Sequence, residues 1–145
     1  MTENSSKQID YVLSLGFECE IDVWLINGQI VLGHDSPEEV VTLDWLTRRS
    51  SHLWVHCKNL ESLDFFASST SKLNFFWHQS DDYTLTSRGY IWTYPGKQLS
   101  PLSVLVLPEI NLDTGHESLH FSDRKCLGIC SDYVQKIKLD LSSAL

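Results

Sequence analysis

The 145 residues carry 19 acidic against 11 basic side chains, a formal charge of −8, which works against nucleic acid or an anionic membrane as partner through the general field. A hydrophobic fraction of 42% with five tryptophans is that of a folded globule, and the length suits one domain over residues 1–145 with a sizeable core. No apolar run reaches membrane-spanning length and the opening MTENSSKQ lacks a signal peptide's apolar centre, so the expected location is cytoplasmic.

Residues 7–15, KQIDYVLSL, place Ile9, Val12, Leu13 and Leu15 on roughly one side of a helix that Gly16 stops. CEIDVWLI then alternates as a strand, with Glu20 and Asp22 on one face and Cys19, Ile21 and Val23 on the other. The turn Asn27-Gly28 returns the chain into Ile30-Val31-Leu32, which ends at Gly33-His34-Asp35. Carboxylates at i and i+2 of a strand are close enough to share one divalent ion, and hard oxygen ligands suit Mg2+ or Ca2+. Without a cation, a Lys or Arg, or water between them, their charges repel. The same spacing also fits the solvated face of an edge strand. The neighbouring apolar residues point instead to an interior strand whose polar face has a purpose.

Ser36-Pro37 with Glu38-Glu39 reads as a helix or turn start, and EEVVTLDWLTRR as a short helix weakened by Val40, Val41 and Thr42. The strand Leu53 to Lys58 sets Trp54, His56 and Lys58 on one face against Leu53, Val55 and Cys57. An imidazole two residues from an ammonium at a strand's C-terminal end can grip an oxyanion; a merely exposed strand end is the alternative. Residues 60–69 have helical spacing that packs Leu60, Leu63 and Phe66 on a sheet. Lys72 to Trp77 is a strand running into the polar burst His78 to Asp82, where ligand loops occur, although a solvated turn fits equally. Further strands are expected at Tyr90 to Tyr94, Ser103 to Leu107 and Cys126 to Cys130. Residues 111–122 read as a polar loop, and DYVQKIKLDL as a closing helix capped by Ser131-Asp132.

Cys19, Cys57, Cys126 and Cys130 sit mostly in strand-like runs, as small buried hydrophobes rather than a disulfide framework, and their spacing lacks a zinc knuckle. No Gly-rich phosphate loop and no G-x-S-x-G elbow occurs. Helical and strand-like runs alternate, with polar residues just beyond strand ends, which predicts an α/β chain with mostly parallel strands.

The stretch Lys7 to Asp35, containing GFECEIDVWLINGQIVLGHD, resembles the early part of the glycerophosphodiester phosphodiesterase family, with its Glu-x-Asp strand, tight turn and His-Asp ending. In order along the chain, VHCK resembles that family's Glu-x-Lys strand, YIWTYPG its late Trp-Thr strand and LGICSDYVQKI its closing segment. The resemblance implies a TIM-like (β/α) barrel and metal-dependent hydrolysis of a small phosphodiester with Mg2+ or Ca2+, Mn2+ being a further candidate. Carried over, Glu20 and Asp22 hold the metal, His34 is the general acid or base, and Lys58 meets the phosphate. His56 stands where the family has another metal-binding Glu, an exchange that changes the metal or weakens the site. Trp54, His78 and Trp92 are the expected substrate contacts, with Trp77 also lining the cleft, although a lone Trp is more often core. The family's opening His-Arg strand has no counterpart before Lys7, and a full barrel takes roughly 250 residues. The expectation is therefore a compact, incomplete barrel whose sheet edges are covered by the N-terminal segment, the 111–122 loop or a second subunit. A derivative that has lost catalysis and serves binding or assembly is the alternative.

Overall fold

The computed structural model describes residues 3–111 and 125–143. They form a mixed α/β fold with a five-stranded and a four-stranded sheet, and they fall into two compact units. One unit is the chain through Gln79 together with Thr86–Arg88; the other is Ser80–Leu85 and the chain from Gly89 onward.

In the first unit, helix α1 (Ser6–Ser14) is opened by Ser5, whose hydroxyl accepts from Gln8 N, and it buries Ile9. Past its end, Gly16 adopts φ +77°, and its N–H bonds Leu13 O. Strand β1 (Cys19–Ile26) turns through Asn27 and Gly28, at φ 51° and 77°, into β2 (Gln29–Leu32). Two successive left-handed residues are what a type I′ hairpin turn requires, so the Asn-Gly pair sets the β1–β2 register. Strand β3 (Glu39–Val41), helix α2 (Leu43–Arg48), strand β4 (Leu53–Cys57), helix α3 (Leu60–Ser68) and strand β5 (Asn74–Phe76) complete the unit. The sheet order is β3-β2-β1-β4-β5. β1 pairs with β4 and β4 with β5 in parallel, each pair joined through a helix, while the β1–β2 and β2–β3 pairs are antiparallel.

The alternation expected for β1 and β4 is observed. Ile21, Val23, Leu53, Val55 and Cys57 are buried in one cluster with Ile9, Leu46 and Phe66 from the helices. The helices thus cover one face of the sheet, and the side chains of alternate parity are left for the opposite face.

Three expectations are corrected. Glu39–Val41 is an edge strand and not the first turn of a helix, because consecutive β-branched residues gain more by pairing with β2 than by helical packing; α2 starts only after Thr42, whose hydroxyl accepts from Trp45 N. Leu60 does not pack on the sheet: it sits at the first position of α3 and is 70% exposed, while Leu63 and Phe66 carry the contact. Trp77 packs against the apolar cluster, on the helix-covered side, having the same parity as Phe75.

The second unit orders its strands β6 (Tyr83–Leu85), β7 (Ile91–Thr93), β8 (Ser103–Val106) and β9 (Gly128–Cys130). β7, β8 and β9 are mutually parallel, and β6 is antiparallel to β7. Leu105 of β8 and Ile137 of helix α4 (Val134–Ser143) pack in a small core with Leu99 and Ile129. Buried Thr93 and Ser103 satisfy one another, Thr93 Oγ1 donating to Ser103 Oγ at 3.0 Å. The Ser131 hydroxyl accepts from Tyr133 N near the start of α4. The polar stretch expected at 111–122 lies almost wholly outside the described residues. The four cysteines are not joined in disulfides, and no helix among the described residues is long and apolar enough to cross a membrane.

Candidate metal centre

The side chains opposite the helix-covered face form rows across the first unit's sheet. Parallel neighbours in register share a face, and the Cα pairs are Glu20 with Trp54 and Asp22 with His56. On β5, Asn74 continues the first row and Phe76 the second. Lys58 follows β4 directly, and its N–H is held by Val23 O at 2.9 Å. Two acidic residues, an imidazole and an ammonium therefore meet because the β1–α2–β4 crossover sets the two strands parallel at this one register.

Ligating atoms of Glu20, Asp22 and His56 lie within 4.8 Å of one another, the grouping among the described residues with metal-binding geometry. Asp22 Oδ1 lies 2.9 Å from His56 Nδ1 and 3.2 Å from Lys58 Nζ, and its side chain is only 6% exposed. Neither nitrogen is aligned as a hydrogen-bond donor, so this buried oxygen lacks a directed partner. Glu20 Oε1 stands 3.7 Å from the same His56 nitrogen. Burial first, and the Asp22 charge second, push the Glu20 carboxyl well above the usual carboxylate range; Lys58 opposes this and Glu3 adds to it. A buried oxygen without a directed donor, beside a carboxyl whose ionised form is disfavoured, has the character of a site that a divalent cation would complete.

His56 is held from both sides. Its Nε2 lies 2.9 Å from the His78 carbonyl oxygen, and its ring stacks on Phe76 with centroids 5.3 Å apart and planes 1° from parallel. Asp22 is held at its backbone. The side chain of Asn4 donates to Asp22 O at 3.1 Å and accepts from Asp22 N at 3.3 Å. Gly33 N–H also reaches Asp22 O, at 3.2 Å. A Cβ at Gly33, where φ is +152°, would meet Ser36 O at 1.8 Å, so only glycine fits this close turn.

Of the residues singled out in the sequence, Glu20, Asp22, His56 and Lys58 come together, and Trp54 is on their face with its indole N–H donating to Glu18 at 2.6 Å. His78 is adjacent, contributing its carbonyl and a ring 6.3 Å from that of His56. His34 lies outside this grouping of ligating atoms: its ring is 58% exposed and faces Asp35, with Nδ1 3.0 Å from Oδ1, on the close turn that follows Gly33. Trp92 belongs to the second unit, where it is 6% exposed in β7. Sequence reasoning missed Asn4 and Phe76. Asn4 lies in the polar opening MTENSSKQ, and Phe76 is one aromatic among several.

No protein-family model matches the chain, and no curated protein or solved structure is found similar to it.

Proposed function

We propose that the first unit carries a divalent-metal centre that hydrolyses a small phosphodiester of the glycerophosphodiester kind. The observation that carries this reading is the convergence of Glu20, Asp22 and His56 on adjacent parallel strands with the Lys58 ammonium beside them. Mg2+, Ca2+ and Mn2+ are the candidate ions, and the proposal extends to a fold derived from a shortened (β/α) barrel, for which the parallel β1, β4 and β5 are the support. When bound, the ion supplies Lewis-acid neutralisation of phosphate oxygens. Lys58 places a second positive charge against the phosphate. Trp54 and His78 flank the ligand. His34, one residue beyond the Gly33 that bonds Asp22, exchanges a proton with the leaving alkoxide.

A second reading is favoured by one specific observation, the exposure of His34 and its pairing with Asp35. In that reading the centre binds a phosphorylated ligand or serves assembly, without turnover. The two are separated by assaying glycerophosphodiesters, a cyclic phosphodiester and bis-(p-nitrophenyl) phosphate with Mg2+, Ca2+ and Mn2+ in turn. Metal-dependent turnover that Asp22→Asn abolishes and His34→Ala lowers by about a hundredfold supports the hydrolase. Turnover that survives both substitutions removes this site from the reaction, and cation binding without turnover of any of these compounds supports the second reading.

A further inference from the structure

His56 differs from its two partners in the group in being a nitrogen ligand, and its surroundings decide which nitrogen is offered. The His78 carbonyl oxygen, 2.9 Å from Nε2, can only accept, so Nε2 is the nitrogen that carries the proton in this contact. Nδ1 is then the nitrogen that faces Asp22 Oδ1 at 2.9 Å and Glu20 Oε1 at 3.7 Å. The ring cannot readily turn to exchange its nitrogens, being stacked flat on Phe76. An imidazole whose distal N–H is tied to a backbone carbonyl, with its ring orientation held by stacking, is the arrangement of a metal-ligating histidine.

A set of one imidazole nitrogen and two carboxylates is chemically selective. Mg2+ and Ca2+ favour oxygen, whereas imidazole raises affinity for Mn2+, Co2+ and Zn2+. Resting on the reading of this cluster as a metal centre, we propose that its ion is a first-row transition metal bound through His56 Nδ1, in preference to Mg2+ or Ca2+. Phe76 and the His78 carbonyl are the positioning groups of that ligand.

Calorimetric titration of the metal-stripped chain with Mg2+, Ca2+, Mn2+, Co2+ and Zn2+ tests this, together with ring-nitrogen NMR of 15N-histidine-labelled protein. The expected result is affinity for Co2+ and Zn2+ at least about tenfold above that for Mg2+. His56→Gln should lose that advantage, and His56→Glu should reverse it in favour of Mg2+. In the wild type, which needs no variant to fold, the His56 ring should show a proton held on Nε2 and a Zn2+-induced shift at Nδ1. Co2+ and Zn2+ binding no tighter than Mg2+, binding untouched by His56→Gln, or an unshifted Nδ1 resonance would overturn the proposal. If Mg2+-dependent turnover accompanies any of these, the hydrolase reading survives the loss of this one; absence of binding by every cation removes both.

Discussion

Asp22 and His56 face each other across adjacent parallel strands, with Asp22 Oδ1 2.9 Å from His56 Nδ1 and Lys58 Nζ 3.2 Å from the same oxygen. One buried oxygen is thus the meeting point of both nitrogens. Removing it strands an ammonium only 18% exposed, whose nearby counter-charge is then Glu20, a carboxyl that resists ionising. Asp22→Ala should therefore destabilise the metal-free protein by about 3 kcal/mol, the usual cost of breaking a buried ion pair from one side. Urea unfolding in the presence of chelator measures it; a change below about 0.5 kcal/mol, the range of an ordinary surface substitution, would mean the pair is solvated.

Glu20 should make the metal-free protein's stability depend on pH in a particular direction. Its folded-state pKa is raised, so between the ordinary carboxylate range and that raised value the folded state keeps a proton that the unfolded chain has released. The contribution is fully present below the unfolded pKa and is lost as pH rises through the folded one. Glu20→Gln, which stays neutral, should flatten the fall. Denaturation midpoints for both proteins across this interval, in chelator, check the sign; a wild-type stability that climbs relative to Glu20→Gln contradicts it.

Lys58 is expected to act on binding and turnover in opposite senses. In the metal-free protein its ammonium neutralises the carboxylate that the cation needs, so Lys58→Met should tighten cation binding by about tenfold, on the order of 1.4 kcal/mol. The same change removes a charged contact from the phosphate and should lower turnover. Weaker cation binding in Lys58→Met would show that the ammonium does not compete for Asp22.

The Cys19 and Cys57 thiols are pushed up to about 12, chiefly by burial. They stay protonated near neutrality and should be poor nucleophiles. Iodoacetamide at pH 8 should leave both unmodified in the native protein and alkylate both in urea, as read by peptide mass spectrometry. Rapid alkylation of Cys57 in the native state would contradict its place in the core.

Much of the metal face was legible because its signals are local. Alternation in CEIDVWLI and LWVHCK fixes which side chains share a face, and a helix between two strands favours their parallel pairing. What was not legible depends on contacts distant in sequence. Nothing near Asn4 says that its amide will clasp Asp22, 18 residues on, and nothing near Phe76 says that it will stack on His56. Glu39–Val41 was misread because its β-branched run admits either helix or strand until an edge of β2 is available. His34 ends an apolar strand, and where the next residues go is set by the close turn at Gly33, where backbone packing and not residue type decides.

The most direct measurement is calorimetric titration of the metal-stripped chain with divalent cations, wild type beside Asp22→Asn. The substitution keeps the side chain's shape and removes the charge of the most buried ligand. The account predicts saturable binding at one site in the wild type and its loss in Asp22→Asn, with the fold retained by circular dichroism. Equal affinity in the two proteins, or no binding by the wild type, would contradict it.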